Sequence, residues 1–140
     1  MVAFRDHFGE RAPSGREIAA SVARLLGDPD TEFIVAQSDA GEFLGYVQAR
    51  YRYSVWLSGS ESQLEDVFVS RSSRGTGVGL RLLEAAMVQA QKRGCRFVGL
   101  NTNERNADAL RLYARAGFSA ARERWQGGRQ LWLTRAAKDA

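Results

Sequence analysis

Residues 63 to 102 constrain this chain more than any other part of it. The segment QLEDVFV, 63 to 69, reads as a strand, and it runs into Arg74, Gly75, Thr76, Gly77, Val78 and Gly79. From about Gly77 to Arg93 the positions Leu82, Leu83, Ala86, Met87 and Ala90 fall on one face of a helix. Lys92 and Arg93 lie near its C-terminal end, where cations are favoured, and Gly94 is available as the terminator. CRFVGLNT, 95 to 102, is then a compact apolar strand. Strand, helix and strand in this order form a crossover unit whose two strands run parallel.

The flanking segments add antiparallel structure. After Pro13, Ser14 and Glu17 have capping-box spacing, and Ile18, Val22, Leu25 and Leu26 make an apolar stripe ending at Gly27. Residues 31 to 37 and 43 to 53, joined by a turn containing Asp39, Ala40 and Gly41, read as an antiparallel strand pair. The polar stretch around 58 to 62 reads as a loop. A second good helix follows the crossover: Asn106 caps it, Ala109, Leu112, Tyr113 and Ala116 share one face, and Gly117 with Phe118 stops it. Residues 118 to 125 and 129 to 135, around Gly127 and Gly128, are expected to close the chain as a hairpin. The expected fold is α/β in the mixed α+β sense, a central mixed sheet flanked by helices.

Hydrophobic residues are 44% of the 140, enough for one core, so a single domain over 1–140 is expected. No apolar run approaches the roughly 20 residues of a membrane span, and the N-terminus lacks a secretory pattern, so a cytoplasmic location is expected. One cysteine, Cys95, and one histidine, His7, exclude an intrachain disulfide and argue against a metal site. The net charge of +4 favours anionic partners. The arginines are scattered through the chain, which weakens a nucleic-acid arm as an explanation.

The turn at 74–79 sits where phosphate chemistry is expected. Glycines let backbone N–H groups approach an oxyanion, and a helix N-terminus adds unpaired donors and about +0.5 of a charge. A Walker A loop requires a lysine that is missing here, and a dinucleotide fingerprint requires glycine at the position of Leu80. Taken alone, the turn is equally readable as a device for packing the helix closely on the sheet, and NADALRLYARAGF, 106 to 118, as an ordinary amphipathic helix.

Together, the two segments resemble the GNAT superfamily of acyl-CoA-dependent N-acyltransferases. The family's cofactor motif, Arg/Gln-x-x-Gly-x-Gly/Ala, is matched by Arg74, Gly77 and Gly79. Its downstream pattern is matched by Asn106, Ala109, Leu112, Tyr113, Gly117 and Phe118. The resemblance covers roughly 64 to 118 and implies a mostly antiparallel sheet with one splayed parallel pair, here 63 to 69 and 96 to 102. It implies acetyl-CoA as co-substrate and no metal. Backbone groups around Val67, Phe68 and Val69 would bind the pantetheine arm, Arg74, Gly75, Thr76, Gly77, Val78, Gly79 and Leu80 the pyrophosphate, and Asn106 the arm. Tyr113 would lie near the thioester sulfur as general acid.

Attack by an alkylammonium acceptor calls for a base to remove its proton. Asp66 and Glu65 are the candidates, with Asp66 preferred because some branches of the family resemble this chain in carrying an acid there. Adjacent strand residues point to opposite faces, so one of the two at most faces the acceptor unless a bulge intervenes. Other branches hold the base two or three residues earlier, where this chain has Gln63, a neutral amide; Glu104 is a further candidate. Family members commonly begin with a strand and a helix, whereas Met1 leads into VAFRDHFGE without a convincing first strand, so a shortened start is expected.

Tyr51, Tyr53 and Trp56, near several acids, suit either an aromatic wall for a cationic amine or strand packing. Trp125 and Trp132 read as core or interface residues, and Cys95 as a small hydrophobe more than a nucleophile. The expected activity is N-acetyl transfer to a primary amine of a small molecule or protein, with neither nucleic acid nor membrane as partner and room for a homodimer. The alternatives are a non-catalytic acyl-CoA sensor of the same fold and a basic nucleic-acid binder.

Overall fold

The computed structural model describes residues 1–120 and 131–137. Two helices, α1 (Val2–His7) and α2 (Gly15–Leu26), precede a four-stranded sheet of β1 (Thr31–Gln37), β2 (Phe43–Ser54), β3 (Gly59–Val69) and β4 (Cys95–Leu100). Helix α3 (Val78–Lys92) connects β3 to β4, and α4 (Ala107–Arg115) follows β4. The strands lie in the order β1-β2-β3-β4; the first two pairings are antiparallel and β3 runs parallel to β4. The crossover and the mixed sheet read from the sequence are therefore present.

The start of α2 has the expected capping box: Glu17 N–H donates to Ser14 Oγ at 3.3 Å, and Ser14 N–H to Glu17 Oε2 at 2.7 Å. No strand precedes α1 among the described residues, and a six-residue helix with no buried side chain stands there instead. The stretch 59–62, expected as loop, belongs to β3. Ser60, Glu61 and Ser62 pair with Tyr53, Arg52 and Tyr51 on one side and with Cys95, Phe97 and Val98 on the other, so ladders on both sides override a loop-like composition. The turn is 55–58, one step earlier. The expected closing hairpin falls largely outside the described residues, and 131–135 carry no strand assignment.

The core lies between the sheet and α3. Val47, Ala49 and Leu64 on the strands meet Leu82, Leu83 and Ala86 on the helix, all essentially buried, with Val67, Val69, Leu112 and Tyr113 packed around them. The opposite face of the sheet carries Tyr46 and Phe68, whose rings lie 5.9 Å apart and are met by Phe4 of α1.

One irregularity allows β3 to serve both faces. Gln48 pairs with Asp66 and Ala49 with Leu64, which leaves Glu65 without a partner on β2. In a regular strand Leu64 and Asp66 would share a face; the extra residue reverses the alternation. Leu64 enters the core against α3, and Asp66 turns with Phe68 to the side of Tyr46 and α1.

Candidate active site

The parallel pairing of β3 with β4 runs only from Ser60/Cys95 to Leu64/Leu100. β4 ends there, and β3 continues to Val69 with β2 on one side and, among the described residues, a gap with no strand on the other. Ser70 N–H donates to Leu44 C=O on β2 at 2.8 Å. Since backbone direction alternates along a strand, Phe68 also points its N–H and C=O toward β2, and Val67 and Val69 point theirs into the gap. Val69 C=O accepts from Arg74 Nε at 3.2 Å, which agrees with that direction.

The turn after β3 is built to leave donors open. A 3-10 turn, Arg71–Ser73, is tied by Ser70 Oγ to Ser73 Oγ at 2.9 Å and by Thr76 Oγ1, which donates to Ser73 C=O. Gly75 and Gly77 then take φ of +76° and +87°, and a Cβ at either would meet nothing within 4 Å. Conformation therefore demands these glycines. Gly77 is the N-cap of α3 and no side chain caps the helix, so the amides of Val78, Gly79 and Leu80 have no partner within the helix or from a capping side chain. At Gly79 the demand is packing, since a Cβ there would lie 2.9 Å from Leu112 Cδ2 on α4.

Helix α4 stands across the gap. Asn106 caps it, its Oδ1 accepting from Ala109 N–H at 3.2 Å, which leaves the amide NH2 as the side chain's free donor. Tyr113 packs against the core, its ring edge-on to Phe118 at 6.3 Å, and its hydroxyl makes no hydrogen bond among the described residues. Burial pushes its phenol above the usual range. The helix stop is as read: Gly117 has φ +87° and Phe118 N–H returns to Tyr113 C=O.

Asp66 forms the polar end of a cavity of about 300 Å³ lined by Met1, Phe4, Arg5, Phe8, Pro13, Ile18 and Tyr46. Burial raises its carboxyl above the ordinary carboxylate range; the Tyr46 hydroxyl, donating at 3.1 Å, and the amino terminus partly oppose this. Burial and the adjacent carboxylate push the Tyr46 phenol well above its usual range. Glu65, the bulge residue, is exposed. Gln63 lies within the paired part of β3, opposite Arg50 and Gly99, and Glu104 in the exposed loop before α4.

Other expected residues lie elsewhere. Tyr53 and Trp56 are 70% and 87% exposed, and Tyr51 is buried with its hydroxyl on Glu32 at 2.7 Å, so these three form no common wall beside Asp66. A second cavity, about 450 Å³, is lined by Tyr51, Arg93 and Cys95 at the opposite end of the sheet from the gap beside β3. Burial raises the Cys95 thiol, as suits a packed cysteine. Trp132 is exposed and Trp125 lies outside the described residues. The residues sequence reasoning missed are Phe4, Phe8 and Tyr46; only the short spacing of Phe4 and Phe8 hinted at a shared helical face.

Among the described residues there is no group of three potential metal ligands, and no helix is long and apolar enough to cross a membrane. The described residues thus form a mixed sheet in which β3 outruns its parallel neighbour β4 and leads to a helix N-terminus without a side-chain cap. The sequence profile of the Acetyltransferase (GNAT) family matches residues 2–118, and the chain belongs to that family. It is 33% identical over 92 residues to streptothricin acetyltransferase of Streptomyces lavendulae, covering 66% of this chain and 47% of that protein. It is 31% identical over 105 residues to the L-methionine sulfoximine/L-methionine sulfone acetyltransferase of Pseudomonas aeruginosa, covering 71% and 59%. The match thus spans about half to three-fifths of these relatives' length. The crystal structure of a putative acetyltransferase from Arthrobacter superposes with a TM-score of 0.81 at 26% identity, covering 96% of this chain and 83% of that one.

Proposed function

We propose that the protein is an acetyl-CoA-dependent N-acetyltransferase that passes the acetyl group directly to a primary amine. The observation that carries this reading is the edge of β3 beyond the end of β4. There, on the side away from β2, Val67 and the N–H of Val69 have no strand partner, and the turn that follows leads to α3, whose first amides, at Val78, Gly79 and Leu80, have no side-chain cap. The residues present fit the group. A diphosphate suits the amides and the glycines at 75 and 77, where a Cβ would force an unfavourable backbone, and the free nitrogens of Arg74 can add charge. An amide-bearing arm suits the edge of β3 and the Asn106 NH2.

Acetyl-CoA, when bound, supplies an acyl carbon activated as a thioester. Asp66 accepts the proton of the incoming ammonium, directly or through water, and its raised pKa improves it as a base near neutrality. Backbone N–H groups at that edge of β3 stabilise negative charge on the carbonyl oxygen. Tyr113 returns a proton to the departing thiolate; burial keeps its phenol protonated throughout the working range. Glu65 stays outside this arrangement.

The deciding experiment is thermal stabilisation by acetyl-CoA followed by thiol release with a panel of amines. Stabilisation with release supports the enzyme. Stabilisation without release from any amine would instead make the chain a sensor, and absence of stabilisation by any acyl-CoA would remove the reading altogether.

A further inference from the structure

We infer that the acceptor is a small primary amine on an uncharged aromatic or aliphatic body, seated in the cavity that Phe4, Phe8, Ile18 and Tyr46 wall around Asp66. The inference rests on the transferase reading above and names its substrate class. Among the described residues the lining has one carboxylate, beside aromatic rings: Phe4 lies 5.1 Å from Phe8 and 5.3 Å from Phe68, ring to ring, with Tyr46 beyond at 6.4 Å. Tyr46 and Phe68 are buried, but Phe8 is not used up by the core. Helix α1 buries no residue, and Phe8 is 59% exposed at the cavity. An apolar ligand covering that ring would remove it from water.

The same lining argues against charged bodies. An amino acid acceptor needs a cation for its carboxylate, and the charge of Arg5 is already paired with Asp6. Its Nε and Nη2 bind Asp6 Oδ1 at 2.9 and 2.6 Å, and its Nη1 binds Pro13 C=O at 2.8 Å. A polyamine or aminoglycoside would press further ammonium groups against phenyl rings, with no second carboxylate in the lining among the described residues. At about 300 Å³ the cavity lies at the small end for ligand sites.

In the reaction, the ammonium gives one proton to Asp66, which releases it to water, and the neutral nitrogen then forms the bond to the acetyl carbonyl carbon. The carbon–sulfur bond breaks, the thiolate takes the Tyr113 proton, and the second proton lost from nitrogen restores the Tyr113 phenol. The products are the N-acetyl amide and coenzyme A.

The test compares phenethylamine, phenylalanine (the same body with a carboxylate) and spermidine as acceptors by thiol release. The expected kcat/KM for phenethylamine is about tenfold or more above both others. Phe8→Ala, at an exposed position, should raise the phenethylamine KM about fivefold while leaving the acetyl-CoA KM and the melting temperature in place. Preference for phenylalanine or spermidine overturns the inference and leaves the transferase reading standing. So does an unchanged phenethylamine KM in Phe8→Ala, which would move the seat elsewhere. Stabilisation by acetyl-CoA with no release from any of the three overturns it as well. If acetyl-CoA neither stabilises the protein nor is consumed, the transferase reading fails first and the inference with it.

Discussion

A Cβ on Gly79 would stand 2.9 Å from Leu112 Cδ2, so the first turn of α3 and the middle of α4 touch through a gap only glycine leaves. The contact joins the turn that presents open amides to the helix that carries Asn106 and Tyr113. Two opposing effects decide what alanine does here. Helix propensity favours alanine by up to about 1 kcal/mol, and overpacking costs about 1–3 kcal/mol. Gly79→Ala alone should therefore destabilise by about 1 kcal/mol. In a Leu112→Ala background the clash is gone, and the same substitution should be neutral or stabilising. A double-mutant cycle in urea reads the sign change directly; additivity would mean the two residues do not meet.

Gly77 separates conformation from charge. Its φ of +87° is strained for alanine by about 1–2 kcal/mol, with no steric clash to add. Aspartate tolerates the left-handed region better but sets a negative charge where a diphosphate is proposed to lie. Gly77→Ala should lower the melting temperature more than Gly77→Asp does. Gly77→Asp should weaken acetyl-CoA binding, measured calorimetrically, by about tenfold or more. Equal affinities in the two variants would place the pyrophosphate elsewhere.

Local signals carried most of the fold. The capping box at Ser14 and Glu17, the stripe of α3 and the Gly117–Phe118 stop each depend on residues a few positions apart, and each formed as read. Features set by distant partners were not legible. The bulge at Glu65 has no glycine to mark it; it exists because Leu64 and Asp66 are wanted on opposite faces. Residues 59–62 look like a loop until ladders from β2 and β4 fix them. Helix α1 is too short to be stable by propensity and has no side-chain cap, so its place depends on Phe4 packing against Tyr46 and Phe68. For the same reason the motif residues of the site could be named in advance, whereas the cavity around Asp66 could not. The first come from two continuous segments, the second from three separate ones.

Tyr113 offers a clean separation of catalysis from stability. Its hydroxyl makes no hydrogen bond among the described residues, while its ring packs on the core and on Phe118. Tyr113→Phe keeps the ring, so the melting temperature should move little and acetyl-CoA affinity should hold. Loss of the proposed general acid should lower kcat by about a hundredfold. Because burial raises the phenol, the wild-type rate should show no loss from its ionisation below pH of about 10. An unchanged kcat in Tyr113→Phe would leave the thiolate to depart without protein help.

Asp66 links activity and stability to pH in opposite directions. Its carboxyl titrates above the ordinary range in the folded chain because burial disfavours the charged form. The folded state therefore binds the proton more tightly than the unfolded one, in which the group titrates near about 3.9. Stability contributed by this group is full below that value, falls as pH rises toward the folded pKa, and beyond it becomes a constant penalty. The base proposed for the reaction is the ionised form, so kcat/KM should rise over the upper part of the same interval, where stability is being lost. Asp66→Asn removes the titration and can still accept from the Tyr46 hydroxyl through its amide oxygen. The variant should match or exceed the wild-type melting temperature at pH 7, with that advantage vanishing near pH of about 4. Its kcat/KM should fall by about a hundredfold or more and lose the ascending limb. A variant that is less stable at pH 7, or that keeps the limb, would assign the titration to another group.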